Sequence, residues 1–471
     1  MKINRRNFGK GFLASCATLG LSGCARNIAT GRMSLIGTSV KYDIEDTKKN
    51  HAQVLKENGG EYENIKVQNY VTKIGNELAK HVENQEYKYR FFVLDAPDVN
   101  AFAVSGGYIY IYRGLLSYLN SEAELASILG HELGHVNARH ISEAIAQYYW
   151  AKFTKLAIKA LMSGNGQTTN DMFDNGLDTL TSVLLRGFTR KQEFEADKLG
   201  IRYMSKAGYD PEASVAGFET FYAYSKLAAV MNGGKVKDAD KIDIMETHPR
   251  TKERIQKAII ESSNALSEDF KLNKKPFFEA IEGLVCGNKI GKGFLKGKSY
   301  TNPELRISFN LPENLRPASN FDDIQEGLVF VDEKKEEFFI VSKNEIMYEI
   351  KKATMKDYVK KDKDEQSYYF RFIDTKNNGD NFDDWEEIIS KSFKRYSEEE
   401  AKKIEPSSIH VLKNVSNKTV SELAENMPYG KYNNAYFRVL NGLGLYDFML
   451  AKDGEDLCDE EIERDYIKVF I

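Results

Sequence analysis

The chain has 471 residues, which is too long for one ordinary hydrophobic core and therefore predicts two domains. Hydrophobic residues make up 42% of it and charged residues 29%, a composition that excludes an intrinsically disordered protein. The net charge of −4 provides no overall basic field, so nucleic acid is not an expected partner.

Residues 1–23 have the pattern of a signal peptide. Basic residues near the N-terminus precede an apolar stretch, Gly11 to Gly23, that is too short to span a bilayer. The stretch ends in Leu21-Ser22-Gly23-Cys24, which is typical of a lipobox and predicts that Cys24 becomes the lipidated first residue. Arg5 and Arg6 resemble the centre of a twin-arginine export signal, so twin-arginine and Sec export both stay open.

The residues that follow the leader predict where the mature protein resides. A lipid on Cys24 would hold it at a membrane, on the periplasmic side of the bacterial envelope. Ala25 stands where many inner-membrane lipoproteins of Gram-negative bacteria have Asp, which favours the outer membrane. Beyond the leader region, Cys286 and Cys458 form either one disulfide or two buried thiols.

Residues 24–60 are predicted to be a polar lead-in that contains a helix over Ile44 to Glu57. A domain over residues 61–272 follows. Apolar residues at helical spacing predict its first helix over Lys66 to Val82, and a β-branched and aromatic run predicts a strand over Arg90 to Leu94.

The segment from Asn100 to Tyr112 predicts a β-hairpin. It alternates aromatic and aliphatic residues around Gly106-Gly107, a pair typical of tight turns between strands. One interpretation is an ordinary core sheet. The other is a sheet edge that pairs with an extended peptide substrate along Asn100, Ala101, Phe102 and Ala103.

A helix that begins at a capping box, Ser121 to Glu124, and continues to about Tyr149 carries the sequence His131-Glu132-Leu133-Gly134-His135. Residues four apart share one helix face, so His131 and His135 can bind one zinc ion. Glu132 is rotated about 100° away, which suits a base beside the metal rather than a ligand. The alternative, a solvent-facing histidine pair, conflicts with the apolar residues around the motif.

A second predicted helix, from Arg190 to Lys206, offers acidic residues for the same metal. Glu193 and Asp197 are four apart and share a face, whereas Glu195 points elsewhere. We expect Glu193 to be the third ligand and Asp197 to orient a ligand histidine; surface acids are the alternative. Glycines in the first helix, together with Ala196 and Gly200 here, predict a close approach of the two helices.

Of the five other histidines, His248 stands before Pro249 at a predicted helix start, a position that more often caps a helix than binds a metal. His140 lies five residues after His135, off the expected metal face, and receives no role. No role is assigned to His51, His81 or His410 either.

Residues 273–471 are predicted to form a separate, antiparallel α+β domain of unknown role, without helical repeats. Aromatic and β-branched runs predict its strands: Leu305–Phe309, Leu328–Val331, Phe338–Val341, Tyr368–Phe372, Tyr436–Leu440 and Tyr466–Ile471.

Four motifs occur in order along residues 25 to 270: Asn100-Ala101-Phe102-Ala103 with Gly106-Gly107, His131 to His135, Glu193 to Asp197, and His248-Pro249 followed by Arg254-Ile255. Together they resemble the zinc peptidase family of the Ste24 endopeptidase, HtpX and Oma type. More narrowly they resemble its periplasmic lipoprotein branch, which includes BepA and LoiP, as does Ala29-Thr30-Gly31-Arg32. The second half departs from BepA because it lacks helical repeats.

The resemblance implies one zinc ion per chain, held by His131, His135 and Glu193, with Glu132 as catalytic base. It implies that Arg254 supports the ligands, and that His248 is either a removable fourth ligand or an oxyanion donor. It also implies an α+β fold: a mainly helical zincin-like peptidase domain with a small sheet, followed by the smaller domain.

The expected function is a zinc metalloendopeptidase that cleaves misfolded or misassembled envelope proteins, with envelope assembly factors as possible partners. Two alternatives stay open. One is a chaperone-like assembly factor with a latent metal site. The other is a zinc hydrolase of a non-protein envelope substrate, such as cell-wall material.

Overall fold

The structure is a computed structural model. It describes residues 24–36, 38–163, 187–231, 235–236, 252–264 and 269–287, and residues 293–470 except 297–298, 313–314, 318–327, 333–336, 347–352, 363–364, 376–378, 380, 426, 428 and 446–459. The side chains of Cys24, Ala25, Leu35, Lys252 and residues 152–163 are not described either. No helix among the described residues is both long and apolar enough to cross a membrane.

The chain folds into two compact units. Unit 1 extends to Leu284 and also takes in Ile409–Glu425 and Lys431–Val469. Unit 2 consists of Val285–Ser408 with the short segments Asn426–Gly430 and Phe470–Ile471. This division differs from the predicted boundary between residues 272 and 273, because part of the C-terminal sequence returns to the first unit.

Unit 1 is mainly helical. Its helices in chain order are α1 (Val40–Glu57), α2 (Ile65–Ala79), α3 (Arg113–Tyr118), α4 (Glu122–Asn137), α5 (His140–Ser163), α6 (Arg190–Lys206), α7 (Glu212–Met231), α8 (Lys252–Ser263) and α9 (Lys274–Ile281). The returning segments add α12 (Val420–Ala424), α13 (Asn433–Leu440) and the two-stranded sheet of β15 (Ile409–Thr419) and β16 (Glu461–Phe470). Unit 2 contributes α10 and α11, given below.

Two small sheets belong to the first part of unit 1. At the N-terminus, β1 (Cys24–Arg26) pairs antiparallel with β2 (Met33–Leu35). The second sheet has the order β3-β5-β4, in which β3 (Arg90–Leu94) runs parallel to β5 (Tyr108–Tyr112), and β4 (Ala101–Val104) pairs antiparallel with β5 at the edge.

The predicted hairpin is present, with one difference at its turn. Val104 pairs with Tyr108, so three residues rather than two connect the strands. Gly107 has a φ of 87°, a left-handed conformation that favours glycine. Asn100 precedes β4 instead of lying in it, and its side-chain oxygen accepts the backbone N–H of Ala101 at 2.9 Å.

The helix expected to continue to Tyr149 is two helices instead. It ends at Asn137, and α5 begins at His140. Arg139 has a φ of 55°, a left-handed conformation that no helix interior accommodates. The break turns α5 away from the axis of α4, so residues beyond 137 no longer follow the register of the histidine motif.

Unit 2 is an α+β unit with a largely aromatic core. A five-stranded antiparallel sheet has the order β12-β13-β11-β10-β9, and a four-stranded one has the order β14-β8-β7-β6. Phe309, Phe330, Phe339, Phe370 and Trp385 lie in the core. The strands are β6 (Phe294–Lys296), β7 (Ser299–Asn302), β8 (Ile307–Asn310), β9 (Arg316–Pro317), β10 (Leu328–Asp332), β11 (Glu337–Ser342), β12 (Thr354–Lys361), β13 (Ser367–Asp374) and β14 (Lys394–Arg395), with helices α10 (Phe382–Ser392) and α11 (Glu398–Ala401).

The predicted fold class, a helical domain with a small sheet and a smaller α+β part, is confirmed. The strand predicted at Tyr436–Leu440 is wrong, because these residues belong to helix α13. All six residues from Ala435 to Leu440 are buried, so the helix is enclosed on all sides rather than on one face. Packing outweighs the β-propensity of the tyrosine, phenylalanine and valine in the run.

Candidate metal centre

The site is built on the crossing of α4 and α6, whose backbones come unusually close. A Cβ added at Gly200 would lie 2.8 Å from the backbone N of His131, and one at Gly134 would lie 2.9 Å from the carbonyl O of Ala196. Gly130 faces Gly200 in the same way, with 3.0 Å from an added Cβ to the Gly200 carbonyl O. The glycines therefore allow the metal-binding faces of the two helices to meet.

The crossing brings His131 and His135 of α4 together with Glu193 of α6, all buried. The Nε2 atoms of the two histidines are 3.0 Å apart. Glu193 places Oε2 3.6 Å from His131 Nε2 and Oε1 3.5 Å from His135 Nε2. The two imidazole nitrogens and the Glu193 carboxylate thus converge on one point.

This cluster fits a zinc ion. Zinc–ligand bonds of about 2.0–2.2 Å in a tetrahedron put neighbouring ligand atoms roughly 3.4 Å apart, which is close to the three separations here. Two imidazoles and one carboxylate are also a donor set typical of catalytic zinc, with a fourth position left open. We treat these residues as the candidate metal centre.

His131 is oriented by a carboxylate and an arginine. Its Nδ1 lies 2.8 Å from Asp197 Oδ1, and Asp197 accepts two hydrogen bonds from Arg254, at 2.8 Å from Nε and 2.7 Å from Nη2. Arg254 also places Nη1 2.8 Å from Glu193 Oε2. One buried guanidinium therefore contacts both acidic residues that were predicted to serve the metal.

Charge pairing sets the protonation of this network. Burial alone would raise the pKa of Asp197, but Arg254 and the hydrogen bond with His131 outweigh it, and the pKa lies below its usual value. Burial alone would lower the pKa of Arg254, but Asp197 and Glu193 raise it above the usual value. The carboxylate and the guanidinium are therefore both charged, and His131 Nδ1–H can donate to Asp197.

His135 has a different partner, which the sequence reasoning missed. His140 is fully buried, and its Nδ1 lies 3.0 Å from His135 Nδ1. On the other side, His140 Nε2 lies 2.9 Å from Glu195 Oε2. Burial lowers the pKa of His140, against the opposing effect of Glu195, so its ring is neutral at pH 7.

The error came from extending α4 past Asn137. A continuous helix would point His140 away from the motif, whereas the break at Arg139 brings it behind His135. The short polar Asn137-Ala138-Arg139 stretch was the available signal. Glu195, also set aside, is brought to the same place by α6.

Glu132 is fully buried next to the cluster. Burial raises the pKa of its carboxyl to about 7; the neighbouring Glu193 also raises it, while His131, Arg254 and the backbone N–H of Ala103 lower it. Ala103, whose backbone N–H contributes to this pKa, belongs to β4, the edge strand of the small sheet. Glu132, which belongs to the motif helix α4, therefore lies next to the strand predicted to hold substrate.

Three predicted positions lie wholly or partly outside the described residues. His248 and Cys458 are among the residues that the structure does not describe, so neither the role of His248 nor a Cys286–Cys458 disulfide is tested. Cys24 is described as the first residue of β1, without its side chain.

Sequence comparison identifies the helical part of the chain. Residues 66–260 match the sequence model of peptidase family M48. Mitochondrial metalloendopeptidase OMA1 of Arabidopsis thaliana is 31% identical over 181 residues, 38% of this chain and 32% of the relative. Beta-barrel assembly-enhancing protease of Escherichia coli K12 is 26% identical over 227 residues, 44% of this chain and 42% of the relative.

Metalloprotease LoiP of Escherichia coli K12 is 27% identical over 187 residues, which are 40% of this chain and 67% of LoiP. The chain thus spans less than half the length of the first two relatives. The matched region contains both metal-site helices and the small sheet. Residues 66–260 are therefore a peptidase family M48 domain, which confirms the family predicted from the four motifs.

Proposed function

We propose that the protein is a zinc-dependent metalloendopeptidase. The observation that carries the proposal is the convergence of His131, His135 and Glu193 at separations suited to one tetrahedral zinc ion. Membership of the M48 family supports the same reaction class, as do relatives that are named metalloendopeptidase or protease.

His131, His135 and Glu193 would hold the ion, and Asp197 and Arg254 keep His131 and Glu193 in place. When bound, zinc supplies Lewis acidity, which polarises a carbonyl and lowers the pKa of water. Glu132 is positioned to take the proton of the attacking water and pass it to the leaving amine. Its complete burial excludes bulk water from that transfer.

The edge strand β4 provides a place for a polypeptide substrate. β4 lies at the edge of its sheet, where its backbone is the part that an extended peptide would pair with, and all four of its residues are buried. Ala103, whose backbone N–H lowers the pKa of Glu132, would place such a peptide near the catalytic base. Backbone pairing is available to any extended segment, which favours unfolded protein over glycan as the substrate.

The setting we propose is protein quality control in the bacterial envelope. One relative is named for enhancing β-barrel assembly, and another, LoiP, is named a metalloprotease. The lipobox at Cys24 supports a lipid anchor on the periplasmic side, with the outer membrane favoured. His248 remains proposed as a removable fourth ligand that keeps the enzyme latent, with an oxyanion donor or a helix cap as the alternatives.

Cleavage by purified full-length protein tests the proposal. The wild type should bind one zinc ion and cleave an unfolded casein-type substrate. Glu132→Gln should keep the zinc and lose roughly 10²- to 10⁴-fold in rate, because the general base is gone. His135→Ala should lose both zinc and activity. Elemental analysis and gel-based cleavage are the measurements.

A matched control is Glu253→Gln, an exposed carboxylate on α8 that pairs only with Lys257 among the contacts described for it. It should keep wild-type zinc content and rate. Stoichiometric zinc in His135→Ala would refute the ligand assignment. The chaperone-like alternative would be favoured by a different outcome: the wild type shows no cleavage activity, and both the wild type and Glu132→Gln prevent the aggregation of envelope proteins equally well.

A further inference from the structure

The N-terminal hairpin contains a turn that presents one arginine to the metal-site helices. Asn27 accepts the backbone N–H groups of Ala29 and Thr30 on its side-chain oxygen, at 2.9 and 3.1 Å. Its backbone N donates to the Arg32 carbonyl at 2.8 Å, and Gly31 adopts a φ of 68°. The turn is thus closed by its own hydrogen bonds, which fixes the direction in which Arg32 leaves it.

The same turn is attached to the end of the motif helix. Asn27 Nδ2 donates to the carbonyl O of Ala138 at 2.7 Å, one residue beyond the end of α4. Arg32 Nη2 donates to Glu143 of α5 at 2.8 Å and lies 3.4 Å from Glu195 Oε2 of α6. Arg32 therefore contacts both helices that follow the motif.

A chain of hydrogen bonds links Arg32 to the proposed metal ligand His135. If His135 Nε2 keeps its lone pair for a metal, Nδ1 carries the proton and donates to His140 Nδ1, 3.0 Å away. Because His140 Nδ1 is then the acceptor and carries no proton, the proton of this ring is on Nε2, from which it donates to Glu195 at 2.9 Å. Arg32 Nη2, 3.4 Å from Glu195 Oε2, compensates the charge of this carboxylate, at which the chain of hydrogen bonds ends.

The chain has a parallel at the other histidine, where Arg254 and Asp197 orient His131. We infer that Arg32 is a positioning residue, which acts through Glu195 and His140 to hold His135 in the tautomer and orientation that bind the metal. The inference rests on the proposed zinc site. It also assigns a structural role to the Ala29-Thr30-Gly31-Arg32 segment, which the sequence analysis included only as part of a family resemblance.

The turn lies close in sequence to the proposed lipid anchor. Asn27 is three residues from Cys24, so the proposed lipid anchor lies within about 10 Å of chain from the turn. The end of the protein that would be tied to the membrane is therefore also a support of His135.

Zinc affinity tests the inference, measured on the full-length protein by competition with a chromophoric chelator. Glu195→Ala should weaken zinc binding by about 10- to 100-fold, the usual effect of removing a residue that orients a ligand histidine. Arg32→Ala should weaken it by about tenfold. Arg32→Lys and Glu195→Gln should each recover part of the loss, because a cation and a hydrogen-bond acceptor are restored.

The two substitutions should not add, because they interrupt one chain: Arg32→Ala/Glu195→Ala should bind zinc no more weakly than Glu195→Ala alone. Lys198→Ala, which removes one exposed positive charge from α6, is the matched control and should bind zinc as the wild type does. If Arg32→Ala fails to fold, Glu195→Gln compared with Glu195→Ala still tests the chain. Wild-type affinity in Arg32→Ala or Glu195→Ala overturns the inference, whereas a wild type without zinc overturns the proposed function instead.

Discussion

Arg254 is a buried guanidinium between two carboxylates. Its side chain lies against Asp197 and Glu193 and over the ring of Phe218, 4.9 Å from the ring centre. Removing one partner of a buried ion pair usually costs far more than removing an exposed one, because a charge is left without compensation in a poorly solvated site. The stability of the metal-free protein and the order of the metal site therefore depend on the same residue.

We predict that Arg254→Met lowers the free energy of unfolding of the metal-free protein by about 3–5 kcal/mol. Urea denaturation is the measurement. Arg202→Met is the matched control, since Arg202 is a half-exposed arginine on α6 paired with Glu83, and should cost at most about 1 kcal/mol. If both substitutions lowered the free energy of unfolding equally, Arg254 would not be what compensates the buried charges of Asp197 and Glu193.

At the scale of single residues, the sequence supported the motif but not its surroundings. His131, Glu132 and His135 could be placed because their relation depends only on helix geometry, and Glu193 and Asp197 followed from the same periodicity. His140 could not, because its position depends on a left-handed residue at Arg139. Neither could Arg32, since nothing in the local pattern relates a turn before α1 to a residue of α6.

At the scale of elements, the crossing of α4 and α6 depends on glycines that are costly within a helix. Gly200 meets the backbone of His131, whereas Gly217 of α7 has no atom within 4 Å of the position of an added Cβ. The two glycines have the same intrinsic cost of about 0.5–1 kcal/mol relative to alanine. Only Gly200 is compensated by a contact that alanine would prevent.

Alanine at these two positions should therefore have opposite effects. Gly200→Ala should lower the free energy of unfolding by about 1–3 kcal/mol and weaken zinc binding, since the helices must separate. Gly217→Ala should raise the free energy of unfolding by about 0.5–1 kcal/mol and leave zinc affinity unchanged. Thermal unfolding and chelator competition measure both. A stabilising Gly200→Ala substitution would contradict the close-approach explanation.

Helices whose two ends carry capping residues in the sequence were predicted best. Helix α6 has its predicted bounds, Arg190 and Lys206, with a capping box from Thr189 and Gln192 and a left-handed Gly208 after its end. The run at Tyr436–Leu440 lacked such signals, and its five residues fit a short strand as well as a helix. Tertiary packing makes this run helical, and a local sequence pattern carries no information about such packing.

At the scale of the whole molecule, the C-terminal sequence returns to complete unit 1. Gly283 N donates to the carbonyl O of Ile409 at 2.9 Å, and the rings of Phe278 and Tyr466 stack 5.1 Å apart. The hydroxyl groups of Tyr118 and Tyr436 are hydrogen bonded. A change of composition near residue 273 was visible in the sequence, but pairing across more than a hundred residues was not.

Lys468 is a buried charged residue in the C-terminal segment that returns to unit 1. It is fully buried, and its Nζ donates to the carbonyl oxygens of Ser117 and Leu119 at 2.7 and 2.8 Å. Its backbone N donates to Asn441 Oδ1 at 2.7 Å. Leu119 lies two residues before Ser121, the N-cap of the motif helix, so β16 fixes the start of α4 from the far end of the chain.

We predict that Lys468→Met destabilises unit 1 by roughly 2–4 kcal/mol, because it leaves two buried carbonyl groups without their donor. Lys413→Met on β15, which removes an exposed lysine from the same returning segment, is the control and should change the free energy of unfolding by less than about 0.5 kcal/mol. Urea denaturation and limited proteolysis, with fragments assigned by mass spectrometry, would report the change in unit 1. If Lys468→Met unfolds at the same urea concentration as Lys413→Met, β16 packs on the peptidase domain without stabilising its motif helix.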